Sequence, residues 1–175
     1  MALREIRTLP DPVLRKRARK VTVVSAETRR LIDDMVETMR AAPGVGLAAT
    51  QVGVGQRVIV MEYADEPAEK TPEDAPPPPP VLYTLINPEI TRASREKIPG
   101  IEACLSVPGF SGEVQRHAEV VVKGFNAKGS PVRIRAKGWL ARIFQHEIDH
   151  IDGILYIDRA TKVWEVRPEE AKDNV

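Results

Sequence analysis

An α+β fold with largely antiparallel sheets is predicted by three features of this chain. Runs rich in β-branched residues fill its middle, two amphipathic helical segments flank them, and no strand–helix–strand alternation signals a parallel sheet. The second helical segment carries His-Glu-x-x-His, and the sheets are expected to pack around it. At 175 residues the length fits one domain, 1–175.

Taken in order, "SAETRRLIDDMVETMR" (25–40) reads as the first helix. Ser25 can cap it, and Leu31, Ile32, Met35, Val36 and Met39 recur on one face. Pro43 and Gly44 stop it, and a Gly-rich loop, "APGVGLAATQVGVG", follows. "RVIVMEY" (57–63) reads as a strand. The segment 65–80 is an inserted loop: with Ala64 it holds seven of the fifteen prolines, almost no apolar side chains, and ends as a stiff polyproline spacer. "VLYTLINPEI" (81–90) resumes as a strand, and 118–136 reads as a hairpin turning at Asn126–Gly129. "GWLARIFQHEIDHIDG" then gives the second helix, with Leu140, Ile143, Phe144, Ile148 and Ile151 on its apolar side and Gly153 as its stop. Residues 163–175 read as a polar C-terminal tail.

The bulk numbers exclude several roles. A net charge of +1, from 26 basic and 25 acidic residues, leaves no footprint for nucleic acid or an anionic membrane. No apolar run approaches the roughly 20 residues that span a bilayer. The charged start, "MALREIRTLPDP", does not resemble a secretory signal, and a lone Cys104 fits a reducing compartment. The expectation is a cytoplasmic protein.

In a helix, residues four apart stack on one face, so His146 and His150 can present both imidazoles to one ion. Glu147, beside the first of them, can reach a water at such a site as general base. Two histidines are half a site. A long protease motif would place a third histidine where Tyr156 stands, and the glutamates beyond it (Glu165, Glu169, Glu170) lie in a polar stretch around Pro168. The remaining candidates are His117 and Cys104. Cys104 is favoured, because a thiolate is a strong soft ligand and two His, one Cys and one open position make a catalytic four-coordinate site.

Three stretches, "GVGLAATQ" (44–51), "EACLS" (102–106) and "QHEIDH" (145–150), resemble in order and spacing the signature motifs of the peptide deformylases, with "LYIDR" (155–159) also similar. The resemblance spans about residues 5–160. It implies an enzyme that removes the N-terminal formyl group from formyl-methionyl nascent peptides. Cys104, His146 and His150 would hold the metal, commonly Fe²⁺, with zinc, nickel or cobalt able to substitute. Glu147 would be the acid/base, and Gln51 and the Leu105 backbone N–H would bind the formyl oxygen. The Gly44–Val45–Gly46 backbone would pair with the peptide, and Val45, Ile143 and Trp139 would line the pocket for the methionine side chain. A transient ribosome contact is a further implied partner, although the chain stops soon after "YIDR". Ala103 departs from the family's usual Gly between Glu and Cys, and one methyl there is expected to be tolerated. Glu102 and Arg116 are either an ion pair supporting the site or surface charges. Asp149 and Asp152 are either solvated charges or acceptors for the ligand imidazoles. Rival readings are an HExxH metallopeptidase and a degenerate, non-catalytic binding module.

Overall fold

Strand β2 (Val58–Tyr63) shows no polar alternation over its first four residues, which predicts cover on both faces. A computed structural model, describing residues 2–64 and 76–166, shows that cover. Val58 and Val60 face helix α1 (Ala26–Ala41), packing with Leu31, Ile32, Met35, Val36 and Met39. Ile59 and Met61 face the opposite way, towards helix α2 (Gly138–Ile151), packing with Leu140, Ile143, Phe144, Ile148 and Ile151. Every apolar position predicted for the two helices is buried. Ser25 caps α1 as expected, accepting the Thr28 N–H at 3.2 Å.

The remaining strands are β1 (Gly46–Ala48), β3 (Val81–Ala93), β4 (Lys97–Cys104), β5 (Val107–His117), β6 (Glu119–Phe125), β7 (Pro131–Lys137) and β8 (Lys162–Glu165). One sheet has the order β1-β2-β3-β6-β7 and the other β4-β5-β8. All pairings are antiparallel, as the α+β reading requires. In the β6–β7 ribbon, Val120, Val122 and Ala136 face α2 while Lys123, Arg133, Arg135 and Lys137 stay exposed. The predicted turn between them is present, with Asn126 Oδ1 accepting the N–H groups of Lys128 and Ser130.

The second helix leaves β7 directly and stops where expected. Gly153 adopts φ 79°, and a Cβ there would fall 2.6 Å from the Arg15 carbonyl oxygen, so both conformation and space select glycine. A short helix, α3 (Tyr156–Arg159), follows.

Two sequence expectations need correction. Residues 163–165 are not tail: β8 pairs Phe110–Glu113 of β5, at the edge of the three-stranded sheet. The Gly-rich loop contains β1 and a 3₁₀ turn, Ala49–Val52, since Leu47, Ala48 and Ala49 are fully buried. His117 is the last residue of β5. Strand β3 runs three residues past Ile90. The proline-rich segment 65–80 lies outside the described residues up to position 75, as does the tail from 167.

Candidate metal centre

The centre forms where the end of β4 meets α2. Glu102 and Cys104 point inward from β4 and Ala103 outward, by ordinary strand alternation. On α2, His146 and His150 lie one turn apart, as their spacing requires, with ring centroids 4.9 Å apart. Cys104 Sγ lies 3.2 Å from His150 Nε2, which lies 3.2 Å from His146 Nε2. Cys104, His146 and His150 are the one group of metal-donor side chains this tight among the described residues. His117 is not part of it: its Nδ1 lies 2.6 Å from the Ser94 carbonyl.

The surroundings fit a cation. Glu102 Oε2 lies 2.9 Å from His146 Nδ1. A carboxylate only accepts, so Nδ1 carries the proton and Nε2 turns its lone pair to the cluster. Burial opposes ionisation of the Cys104 thiol, but His150 and His146 outweigh it and hold the thiol well below its ordinary range. Burial likewise opposes a charge on His146, yet hydrogen bonds to Cys104 and Glu102 push it well above the usual imidazole value. Three donor atoms thus converge on one point. A metal ion held there would meet a thiolate and two imidazoles, a donor set for a soft or borderline ion.

Glu147 follows His146 and is 4% exposed. Burial raises its carboxyl above the ordinary value, and its Oε2 has no hydrogen-bond partner among the described residues. The carboxylate lies against the backbone of β1, where a Cβ on Gly46 would fall 2.4 Å from Oε1. Gln51 sits on the 3₁₀ turn after β1. Its Oε1 accepts the Ala48 N–H at 2.9 Å, which aims Nε2 at Ser106 Oγ (3.1 Å) and Cys104 Sγ (3.5 Å). Leu105 follows Cys104 directly, and its side chain crowds Gly44, whose added Cβ would lie 3.0 Å from Cδ1.

A family model described as Polypeptide deformylase matches residues 3–165. The chain belongs to that family. It is 50% identical over 163 residues to a peptide deformylase of Symbiobacterium thermophilum, covering 93% of this chain and 69% of that one. The relative from Halothermothrix orenii is 48% identical over 165 residues, covering 94% and 98%. The solved peptide deformylase of Ehrlichia chaffeensis superposes with a TM-score of 0.80 at 40% identity over 92% of this chain and 89% of that one. That of Thermotoga maritima gives 0.79 at 40% identity over 93% and 100%.

Membership of the deformylase family makes this a metal-dependent amide hydrolase, and nothing among the described residues favours a metallopeptidase or an inert module. It also puts the motif residues in context. Ala103, the departure from the deformylase pattern, is exposed and paired with Ser111, so its methyl group points away from the Cys104, His146 and His150 cluster. Tyr156, at the place of the protease's third histidine, is a core residue. Its ring stacks on His146 at 6.1 Å and its hydroxyl donates to the Phe110 carbonyl; burial pushes its pKa up to about 12. Val45 and Trp139 are exposed, while Ile143 is buried one turn beyond Trp139.

Glu102 and Arg116 form a buried bidentate pair at 2.9 and 3.0 Å. Asp149 accepts from Arg116 and Arg159, and Asp152 from Arg57; among the described residues neither is hydrogen-bonded to an imidazole. The acceptor for the His146 imidazole is Glu102, a pairing not expected from the sequence, where its position two residues before Cys104 was the available signal. A cavity of about 190 Å³ on the Asp149–Arg159 side and one of about 310 Å³ beside Arg92, Arg135 and Lys137 are both lined by residues outside the donor set.

Proposed function

We propose that Glu147 and Gln51 act at a ferrous centre held by Cys104, His146 and His150 to hydrolyse the N-formyl amide of formyl-methionyl nascent peptides. The observation that carries this is the convergence of three soft and borderline donors beside a buried carboxylate that touches β1. When bound, the ion supplies Lewis acidity and lowers the pKa of water at the site; zinc, nickel or cobalt suits the same donors.

The chain's own residues carry the remaining chemistry. Glu147 takes a proton from the attacking water as its oxygen adds to the formyl carbon. The carbon–nitrogen bond then breaks, Glu147 returns the proton to the departing amine, and formate leaves. Gln51 Nε2 and the Leu105 N–H donate to the developing oxyanion, and loss of such a donor costs about 10²–10³ in rate. Gly44, Val45 and Gly46 offer the substrate a strand edge, since β1 is the outer strand of its sheet. Val45, Ile143 and Trp139 bound the methionine side chain. Cytoplasmic residence is part of this reading; no helix among the described residues is long and apolar enough to cross a membrane. A ribosome contact draws no support from the described residues.

The test is formate release from a formyl-Met peptide by anaerobically purified protein of known metal content, run beside a peptide-cleavage assay. Formate release is expected, with Glu147→Ala retaining metal but losing nearly all turnover. Peptide-bond cleavage without formate would overturn the proposal.

A further inference from the structure

Where α2 meets β4 and β5, buried charges replace apolar packing, and one of them has no part in the chemistry above. Arg142 lies one turn before His146 and is 5% exposed. Its Nη1 donates to Glu102 Oε1 and to the Val114 carbonyl, both at 2.9 Å, and its Nη2 donates to the Ile98 carbonyl at 2.6 Å. The Trp139 ring covers the guanidinium, 5.5 Å from Cζ.

Glu102 is thereby held on all sides. Oε1 accepts from Arg142 and Arg116, while Oε2 accepts from Arg116 and His146. The two arginines do different things. Arg116 belongs to β5 and divides its donors between Glu102 and Asp149. Arg142 shares a helix with His146, so the path Arg142–Glu102–His146 begins and ends on α2 and references the carboxylate to the helix that carries the ligand.

Space for this guanidinium exists because residue 100 has no side chain. A Cβ on Gly100 would lie 2.6 Å from Arg142 Cζ, 2.7 Å from Nη2 and 2.8 Å from Nε. An arginine tip usually swings aside cheaply, but this one would forfeit three hydrogen bonds and its aromatic cover.

We infer that Gly100 and Arg142 act as a coupled pair that fixes the Glu102 carboxylate, making Arg142 a positioning residue for the ring orientation and tautomer of His146. The inference rests on Cys104, His146 and His150 being the metal ligands, and it assigns Arg142 no contact with substrate. Loss of a group that supports a metal-bound histidine typically weakens the metal 10–100-fold.

The experiment uses the full chain loaded with Co²⁺, comparing wild type, Arg142→Met, Gly100→Ala and the double variant. Co²⁺ affinity is read by chelator competition, and ligand-field geometry by visible absorption. Both single variants should bind Co²⁺ about 10–100-fold more weakly with shifted absorption bands, and the double should be no worse than the weaker single. Unchanged affinity and bands in the single variants, or effects that multiply in the double, would overturn the coupling. Should Arg142→Met not fold, Gly100→Ala decides alone, because it keeps every hydrogen-bonding group and only displaces the guanidinium. Failure of the wild type to bind Co²⁺ would instead strike at the ligand assignment itself.

Discussion

Gly46 is where a single methyl group would separate binding from chemistry. Its Cα faces the Glu147 carboxylate, and the added Cβ of Gly46→Ala would sit 2.4 Å from Oε1 and 2.8 Å from Cδ. The carboxylate must swing away, and misplacement by about 1 Å can cost ~10² in rate. We expect kcat to fall by about that factor with metal content unchanged; a rate within twofold of wild type would show that Glu147 has freedom the packing denies it. Cys104→Ser tests the opposite side of the centre. A serine hydroxyl keeps the shape but loses the soft, readily ionised donor, so metal retained after dialysis should drop to a minor fraction. Equal retention would remove Cys104 from the donor set. These residues were legible in the sequence because helical spacing pairs the two histidines and few other donors exist. Arg142 was not, since an arginine on a predicted apolar helix gives no sign of which carboxylate it will meet.

At the scale of elements, the N-terminal segment is tied across α1 by one carboxylate. Asp34 accepts the Ala2 N–H at 2.8 Å and the Arg4 guanidinium at 2.9 and 3.1 Å, and Thr38 Oγ1 accepts the Arg4 N–H. The Ala2 hydrogen bond, then Arg4, hold the Asp34 carboxyl below its ordinary value of 3.8 against the opposing effect of burial. A depressed carboxyl stabilises the folded state above the unfolded value and loses that contribution as pH falls through the folded one. Asp34→Asn should therefore melt lower than wild type at neutral pH, with the gap closing as pH drops below about 3.8. A gap independent of pH would assign the effect to packing instead. Helices α1 and α2 were readable from apolar period, cap and stop signals. The β4–β5 hairpin was not, because Pro99, Gly100, Pro108, Gly109 and Gly112 interrupt its strand pattern. Pairing with β8 and contact with α2 and α3, all distant in sequence, make it a strand pair.

Across the whole molecule, the metal donors bridge two sheets. Cys104 ends β4 of the three-stranded sheet, while both histidines ride on the helix packed against the five-stranded one. An ion bound there cross-links them and stabilises the fold by mass action, about 2.7 kcal/mol when free metal is a hundredfold above its Kd. Chelation should lower the melting temperature of wild type and of Glu147→Ala alike, and leave Cys104→Ser nearly unmoved; a chelator without effect on wild type would mean the sheets are joined without the ion. The fold class followed from the order of helical and strand-like runs, but the distribution of charge did not. A net charge of +1 concealed the cationic outer face of β6 and β7, because a sum carries no record of which side each residue takes. One last feature bears on what such a protein could accept. Strand β1 is only three residues long and lies at the rim of its sheet. A guest joining that rim would be recognised chiefly by peptide groups common to every polypeptide. Short reach and generic contacts would let one catalyst serve a whole proteome of differing sequences, holding each only briefly.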